Sequence, residues 1–285
     1  MHISSSWDGS TCTASGHENH GGTEEEKTMV TYSKIEFLAA CASRHVNDRE
    51  NVFGGTGLPL LAALLAKETH AANANLISEA GFIDAKPRNV PLSVADSRYY
   101  YRSSAAIGLI ETLGFILQAG RIDVGFLGAA QIDEYGNLNT TYIGDYDSPK
   151  VRLPGSGGGN DIASSAKRLI IMMTHDKRKF VKELDHRTSP GHLEGPGSRE
   201  KWSLVGGGPE VVITDMCQMD FDPETLRIRL ASVHPGYSVQ DVLDNVMFDL
   251  IVPDDVPVTE EPTQHQIDIM HRLDPNGIYL SKGGG

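Results

Sequence analysis

The sequence predicts an α/β protein with an open, mostly parallel sheet that carries helices on both faces. Segments with the character of strands alternate along the chain with segments of helical character, which is the pattern of α/β proteins. Several of the strand segments are apolar along most of their length, such as RLIIMMTH at 168–175. A strand has this composition when both of its faces are buried, as in a parallel sheet covered by helices.

The first part of the chain supplies two helices and a strand. Ser33 and Glu36 form an S-x-x-E capping box at the start of a helix predicted over 33–46. A glycine-rich turn precedes the second helix, in which Pro59 occupies the first turn, a position that proline favours. The apolar run after this helix predicts a strand over 75–79.

The second part alternates in the same way. The amphipathic segment GLIETLGFILQAGRI predicts a helix that ends at Gly120, since glycine commonly terminates helices. Strands are predicted for DVGFLGAAQID (123–133), RLIIMMTH (168–175), EVVITDMCQMDF (210–221) and RIRLASVHP (227–235). A helix is predicted from about 239, after a cap at Ser238 and Asp241, and a last one over about 262–273.

Charge and cysteine content argue against several classes of protein. The net charge of −13 argues against a nucleic-acid partner, because proteins that bind nucleic acid carry basic patches. No apolar run approaches 18 residues and the N-terminus lacks the apolar stretch of a secretory signal, so neither a membrane protein nor a secreted one is expected. Cys12, Cys41 and Cys217 have no CxxC spacing, which predicts reduced thiols in a cytoplasmic protein.

The composition also predicts the domain limits. Residues 1–28 have little to bury and are expected to be a disordered tail, or a product of an upstream start or of cloning. Residues 29–280 are expected to form one domain, and residues 281–285 a flexible end. His17 and His20 are not expected to bind zinc, since a structural zinc site needs four ligands on an ordered scaffold.

Three glycine-centred stretches adjoin predicted strands, and open α/β sheets bind ligands at the carboxyl ends of their strands. The three stretches are therefore expected to converge. The first contains Gly55, Thr56 and Gly57, and it fits neither the dinucleotide fingerprint nor the P-loop. Two interpretations are open for this stretch. Its amides at a helix N-terminus face an anion, or the stretch is a plain turn from strand to helix.

The second stretch places Glu79 at the end of a predicted core strand, with Gly81 two residues later. Three interpretations are open for this carboxylate. It is a solvated loop acid, an ion-pair partner of Arg88 or Arg98, or a nucleophile or base. Gly81 would allow backbone to approach such a catalytic group closely.

The third stretch, PGSGGGND at 154–161, contains four glycines in five residues. So much glycine is costly in conformational entropy. A loop of this kind that leads into a helix is suited to presenting backbone amides to a developing oxyanion. The alternative is a mobile surface loop.

Together these stretches resemble the β half of family I coenzyme A transferases, and most closely the glutaconate CoA-transferase branch. The matching segments are GTGLPL (55–60), SEAGFID (78–84), GAAQIDEYGNLN (128–139), PGSGGGNDIASSAK (154–167), IIMMTHDKRKF (170–180) and TSPGHLEGPGSRE (188–200). Their order and spacing also match the family. The resemblance covers the chain from about Lys34 to the last helix and implies the fold of this family, which is related to NagB.

The resemblance implies a ping-pong mechanism in which Glu79 attacks an acyl-CoA and becomes a glutamyl-CoA thioester. The backbone of Gly157, with Gly158 next, would donate a hydrogen bond to the oxyanion of each tetrahedral step. Contacts with substrate or CoA are implied for Gly55, Thr56, Gly57, Ser78, Gly81, Asn137, Gly155, Ser156 and Gly159. No metal and no permanently bound cofactor is expected, and the coenzyme A thioester is the substrate.

The family's enzymes have two halves, so the resemblance implies a separate α subunit, with the active site at the interface in an α2β2 or larger hetero-oligomer. Tyrosine-rich segments near Glu79 would then face the partner. The implied acyl group is short, with a dicarboxylic acid as the first candidate. Two alternatives stay open, a CoA-thioester hydrolase of the same fold (including ring-opening ones) and a non-catalytic ligand sensor. The glutamate motif around Glu79 favours transfer.

Overall fold

The structure is a computed structural model that describes residues 30–281. Residues 1–29 and 282–285 lie outside the described residues. The predicted tail, Cys12, His17 and His20 lie in the first of these ranges, so the predictions made for them stay predictions. The prediction of one domain over 29–280 likewise stays a prediction.

The described chain contains thirteen strands and six α-helices, which alternate in its first part and are interrupted by runs of strands from β5 to β9 and from β11 to β13. The strands are β1 (Asn51–Phe53), β2 (Asn75–Ile77), β3 (Phe82–Ile83), β4 (Ala105–Ala106), β5 (Val124–Leu127), β6 (Gln131–Ile132), β7 (Leu138–Asn139), β8 (Tyr142–Gly144), β9 (Pro149–Arg152), β10 (Arg168–Met172), β11 (Pro209–Ile213), β12 (Cys217–Phe221) and β13 (Ile228–Val233). The helices are α1 (Lys34–Ser43), α2 (Leu58–Glu68), α3 (Gly159–Ser165), α4 (Ser198–Lys201), α5 (Val239–Asp244) and α6 (Gln264–Leu273). A 3₁₀ turn covers Ser97–Tyr100 and a π-helix covers Glu111–Leu117.

Nine strands form one sheet in the order β13-β12-β11-β10-β5-β1-β2-β3-β4. The five central strands, from β11 to β2, are parallel to one another. Two antiparallel strands extend the sheet at each edge. The sheet is therefore mixed with a parallel centre, as expected.

Helices cover both faces of this sheet, which confirms the predicted architecture. Successive side chains of a strand point to opposite faces. Val52 of β1 accordingly belongs to the core beneath α1, α2 and α6, while Phe53 belongs to the core beneath α3 and the π-helix. None of the helices within residues 30–281 has the length and apolar character needed to cross a membrane.

Two predicted strands are each divided in two. The segment 123–133 forms β5 and β6, and the segment 210–221 forms the antiparallel pair β11 and β12. In the second case Thr214 turns the chain, because its Oγ1 accepts hydrogen bonds from the amides of Met216 and Cys217 at 3.1 and 3.0 Å. An apolar run does not reveal such a turn, since threonine is also common in strands.

Helix starts are predicted more accurately than the interiors. The capping boxes of Ser33 with Glu36 and of Ser238 with Asp241 are both confirmed. The amphipathic segment before Gly120 is helical, but the amide of Gln118 donates to the carbonyl of Leu113 at 2.8 Å. This five-residue spacing defines a π-helix, a form that often occurs at functional sites.

Candidate active site

Glu79 lies at the tip of the turn between β2 and β3. The amide of Gly81 donates to the Ser78 carbonyl at 2.9 Å, and the Ser78 amide donates to the Phe82 carbonyl at 3.0 Å. These bonds close a tight hairpin loop. Because β2 ends at Ile77, the half-buried Glu79 stands beyond the carboxyl end of a parallel strand, the edge at which such sheets bind ligands.

Gly81 is required by the shape of this turn, hereafter the Glu79 turn (residues 78–81). Its φ of 96° lies in the region that favours glycine. A Cβ at this position would also overlap the carbonyl oxygen of Ile107, whose amide donates to the Gly81 carbonyl at 3.0 Å. Gly81 therefore lets the segment before the π-helix lie directly against the Glu79 turn.

The carboxylate of Glu79 has no hydrogen-bond or ion-pair partner among residues 30–281. Arg98 donates to the Val90 carbonyl at 2.7 Å, and Arg88 donates to the Tyr101 hydroxyl at 3.0 Å. The interpretation of Glu79 as an ion-pair partner of Arg88 or Arg98 is therefore wrong. An unpaired carboxylate keeps its lone pairs free to act as a nucleophile or base.

The glycine loop (residues 154–159) lies against this carboxylate. A Cβ on Gly158 would lie 2.7 Å from Glu79 Oε1 and 3.2 Å from its Cδ. Gly158 has φ −76°, which any residue can adopt, so glycine is needed here for space rather than for conformation. Gly155 and Gly157, in contrast, have φ of 94° and 48°.

The amides of Gly157 and Gly158 donate no hydrogen bond within the part of the chain that the structure describes. The neighbouring amide of Gly159 differs, since it donates to the carbonyl of the exposed Ser156 at 2.8 Å. The glycine loop thus has free donors beside an unpaired carboxylate, an arrangement that suits a reaction in which negative charge develops on an oxygen.

The first glycine stretch lies on the neighbouring strand. β1 pairs with β2 in parallel, with Phe53 opposite Ile77, so Gly55 leaves the sheet beside Glu79. Gly57, with φ 97°, begins α2 and has no side-chain cap. Gly55 and Glu79 therefore follow neighbouring parallel strands at the same edge of the sheet. The glycine loop follows β9, which lies outside the nine-stranded sheet, and reaches this edge through the contact of Gly158 with Glu79.

Two predicted contact residues are buried instead. Ser78 is fully buried, and its Oγ accepts a hydrogen bond from the Phe82 amide at 3.2 Å, so it stabilises the Glu79 turn. Asn137 is also fully buried. Its Nδ2 donates to Asp133 Oδ2 and to the Leu193 carbonyl, both at 2.8 Å, and its Oδ1 accepts from the Gly191 amide at 2.8 Å. Asn137 thus does not fit direct contact with a substrate.

A set of polar residues that holds the glycine loop was not predicted. The amide of Gly155 donates to the Thr140 carbonyl, and Thr140 Oγ1 donates to the Gly155 carbonyl, both at 2.9 Å. The Thr140 amide in turn donates to Thr188 Oγ1 at 2.9 Å, and Asn160 Nδ2 donates to the Thr188 carbonyl at 2.8 Å. Thr188 lies in one of the segments that carry the family resemblance, which is the one signal that the sequence offered for it.

The site contains no evident metal ligands. Within residues 30–281, no three His, Cys, Asp or Glu side chains lie close enough together to hold a metal ion. The groups that the described residues bring together here are one carboxylate and the free backbone amides of the glycine loop.

Comparison with known proteins agrees with this geometry. The family model described as coenzyme A transferase matches residues 35–245. The chain is 40% identical to the B subunit of the 3-oxoadipate CoA-transferase of Pseudomonas knackmussii, over 86% of this chain and 95% of that protein. It is also 40% identical to the B subunit of the glutaconate CoA-transferase of Acidaminococcus fermentans, over 88% of this chain and 96% of that protein.

The fold matches as well. The crystal structure of glutaconate coenzyme A-transferase from Acidaminococcus fermentans superposes with a TM-score of 0.82 and 39% identity, over 87% of this chain and 97% of that chain. The predicted resemblance is thereby confirmed. The chain belongs to the coenzyme A transferase family, in which its similarity is to the B subunits.

Proposed function

We propose that the protein is the β subunit of an enzyme that transfers CoA from a short acyl-CoA to a free carboxylic acid, with Glu79 as the nucleophile. The observation that carries this proposal is the unpaired carboxylate of Glu79 with the backbone of Gly158 against it. A free carboxylate is a weak nucleophile, so it needs accurate placement and partial desolvation. The half-buried position of Glu79 supports partial desolvation of its carboxylate, and the hydrogen-bonded turn that carries it supports accurate placement.

The reaction proceeds in two halves. A Glu79 oxygen attacks the thioester carbonyl, and the tetrahedral intermediate expels CoA thiolate to leave a mixed anhydride. The thiolate attacks the Glu79 carbonyl carbon of this anhydride, which releases the first acid as a carboxylate and leaves a glutamyl-CoA thioester. The acceptor carboxylate then takes the CoA by the reverse steps.

Each tetrahedral step places negative charge on an oxygen. We assign the stabilisation of this oxyanion to the free amide of Gly157, with that of Gly158 next. Removal of one such donor typically lowers the rate by about 100- to 1,000-fold. Gly155, Ser156 and Gly159 shape the loop that carries these amides, and Gly55, Thr56 and Gly57 would contact CoA from the adjacent turn.

An α subunit is proposed to cover an apolar surface beside the Glu79 turn. Exposed side chains of this surface are Tyr100, Leu109, Ile110 and Phe115, and both residues of the edge strand β4 are exposed too. The surface adjoins the site, because Ile107 bonds Gly81 of the Glu79 turn. Large exposed apolar patches mark sites of protein association, and the relatives are named as B subunits. The assembly is proposed to be α2β2 or larger.

The acyl group is proposed to be a short dicarboxylic one. Both of the relatives are named for transferases of dicarboxylic acids, glutaconate and 3-oxoadipate. Their identity to this chain extends over most of its length, which supports a related substrate class.

The test uses the enzyme co-purified with its partner, an acyl-CoA and an isotopically labelled acceptor acid. We expect a new thioester that carries the label. Release of CoA without a labelled thioester would instead indicate hydrolysis and contradict transfer. Glu79→Gln should lower the transfer rate by at least about 1,000-fold, as loss of a covalent nucleophile does in other enzymes. The control is Glu183→Gln, which changes an exposed acid outside the site.

A further inference from the structure

A second site is indicated by a cavity of about 420 Å³ on another part of the molecule. Its walls include the last turns of α2, the end of α6, and residues 86–88 and 101–102. α2 and α6 cover the face of the sheet opposite to α3, whose glycine loop contacts Glu79. The last turns of α2 lead to the amino end of β2, whereas Glu79 follows its carboxyl end. The cavity is therefore separate from the Glu79 centre.

The cavity concentrates positive charge in an acidic protein. Five cationic side chains line it, although the chain carries a net charge of −13. The five are Lys67, Lys86, Arg88, Arg102 and Arg272. Among residues 30–281, two carboxylates pair with them, those of Glu68 and Asp84. The cluster therefore has an excess of positive charge that the side chains of residues 30–281 do not neutralise.

The unneutralised charge lies mainly on two arginines. Asp84 pairs with Lys67 at 2.7 Å and with Lys86 at 3.2 Å, and Glu68 pairs with Arg272. Arg88, in contrast, bonds the neutral Tyr101 and no carboxylate within the described part of the chain, and its guanidinium lies 4.9 Å from the centre of the tyrosine ring.

Arg102 has no side-chain partner among residues 30–281. Its backbone has φ 55°, a conformation that is unfavourable for a residue with a Cβ. Arg88 and Arg102 line the same cavity, and guanidinium groups without a carboxylate partner attract an anion that enters it.

We propose that this cavity binds the phosphoryl groups of a ligand that carries at least two phosphate charges. Guanidinium groups match phosphate oxygens in pairs of parallel hydrogen bonds, and they are favoured over lysine where phosphate is recognised in this way. A volume of about 420 Å³ is within the usual range of small-molecule sites. Leu64, Pro87 and Tyr101 supply an apolar wall for the organic part of such a ligand.

Phosphoryl groups of this kind have two sources. One is the nucleotide end of a CoA molecule that is bound at the Glu79 centre. The other is a separate phosphate ester or polyphosphate that binds independently of the acyl-CoA. Both present the same chemistry to Arg88 and Arg102, and competition with acyl-CoA distinguishes them.

The direct test is calorimetric titration of the co-purified enzyme with pyrophosphate and, separately, with ADP at low salt. We expect saturable binding that weakens as salt is added, because exposed charges are screened. Arg88→Gln and Arg102→Gln should each raise the Kd by roughly tenfold or more, as expected for loss of a charged hydrogen-bond donor. Arg49→Gln is the matched control, since Arg49 is exposed, has a similar φ of 67° and lies outside the cavity.

The variants also identify the source of the phosphate. If it is CoA, acyl-CoA competes with pyrophosphate, and Arg102→Gln raises the KM for acyl-CoA. If it is a separate ligand, pyrophosphate binds equally well with acyl-CoA present and the KM is unchanged. Absence of saturable binding in the wild type, or equal Kd values for all three arginine variants and the wild type, would overturn the proposal.

A second measurement does not depend on the folding of variants. Pyrophosphate should slow amine-directed labelling of Lys86, whose side chain is 48% exposed, but not of the exposed Lys177 on a distant turn. Equal labelling of Lys86 with and without pyrophosphate would contradict the proposed site. Neither measurement requires transferase activity, so a failed binding site and a failed Glu79 mechanism give different results.

Discussion

At the scale of single residues, the site depends on how closely backbone approaches one carboxylate. Glu79 is held at the tip of a turn that only glycine permits at position 81, and Gly158 leaves space for the carboxylate where a Cβ would not. The sequence indicated the first part of this arrangement, since a carboxylate followed closely by glycine at a strand end is unusual. It did not indicate the second, because the approach of Gly158 joins segments that lie about 80 positions apart in the chain.

Gly158→Ala tests this close approach. The new Cβ would overlap Glu79 Oε1, while the backbone at φ −76° accepts alanine without strain. We expect the rate of transfer to fall at least about tenfold, since small displacements of reacting groups are costly, with little loss of thermal stability. Steady-state rates and a thermal melt measure the two effects.

The matched comparison for this variant is Gly159→Ala, one position further along. A Cβ on Gly159 would meet its nearest neighbours, Leu127 and Ser189, at 3.6 Å, which is ordinary contact. We therefore expect the transfer rate to fall clearly less in Gly159→Ala than in Gly158→Ala. Equal losses in the two variants would contradict the steric role assigned to Gly158.

The bonding partners of other residues could not be determined from the sequence. The ion-pair alternative for Glu79 could not be decided from the sequence, because the partner of an arginine depends on the packing of the chain. Arg98 bonds a carbonyl and Arg88 bonds a tyrosine. Asn137 was predicted to contact substrate, yet it is buried with its amide bonded to protein. A polar residue in a matching segment can be retained for folding rather than for ligand contact.

At the scale of elements, the glycine loop is fixed at one end by side chains from two other segments. Thr140 bonds Gly155 through both its backbone and its hydroxyl, and Thr188 holds Thr140 and Asn160. A loop with four glycines would otherwise sample many conformations. This network explains how so flexible a sequence can present amides in one place.

Thr188→Val tests the network. The change leaves the partly buried amide of Thr140 without this acceptor, which should cost about 1 kcal/mol of stability and loosen the glycine loop. We expect kcat to fall more than KM rises, because the loop acts on the transition state. Thr188→Ser keeps the hydroxyl and should restore most of the rate. If Val and Ser variants have the same kcat, the hydroxyl does not position the loop.

The elements themselves were predicted well where a local signal exists. Capping boxes located the starts of α1 and α5, and Pro59 located the start of α2. The boundaries within 123–133 and 210–221 were missed, because the turns there are set by hydrogen bonds such as those of Thr214 rather than by glycine or proline. The π-helix was expected only as a helix, since its periodicity over seven residues resembles that of an α-helix.

At the scale of the whole molecule, the carboxyl ends of the parallel strands lie along one edge of the sheet. An apolar surface is exposed beside this edge. Edge strands with exposed apolar neighbours are prone to association. The order of nine strands and the position of this surface could not be read from the sequence, because they depend on pairings between distant segments.

Ile110→Asp tests whether this surface binds the proposed α subunit. Ile110 is 75% exposed, so the change should have little effect on folding of this chain, but it should weaken association by placing a charge in an apolar contact. The measurement is co-purification of the two subunits and their molecular mass by light scattering. Val258→Asp is the control, because Val258 is 66% exposed and pairs with β13 at the opposite edge of the sheet. Equal association of both variants would place the interface elsewhere.

Stability should fall in acid because of buried histidines. Burial lowers the pKa of His192 and of His234 from 6.5 to about 4. Between these values the unfolded chain binds protons that the folded chain does not, so unfolding is favoured as the pH falls from about 6.5 towards 4. Within this window, each of the two histidines lowers the free energy of unfolding by about 1.4 kcal/mol for every unit by which the pH falls.

Urea unfolding at several pH values measures this dependence. We expect the free energy of unfolding to decrease from about pH 7 to about pH 5, and His234→Gln to make the decrease shallower. The control variant is His265→Gln, which changes a histidine at an exposed position. A stability that is constant over this range would contradict the role assigned to the buried histidines.

The most direct test of the central claim is chemical trapping of the loaded enzyme. The complex is mixed with acyl-CoA, treated with borohydride, digested and analysed by mass spectrometry. We predict that the peptide spanning residues 75–86 carries a single change at Glu79, in which the thioester carbon has been reduced to an alcohol, and that the change requires acyl-CoA. An enzyme that transfers CoA at full rate while this peptide stays unmodified would contradict the account.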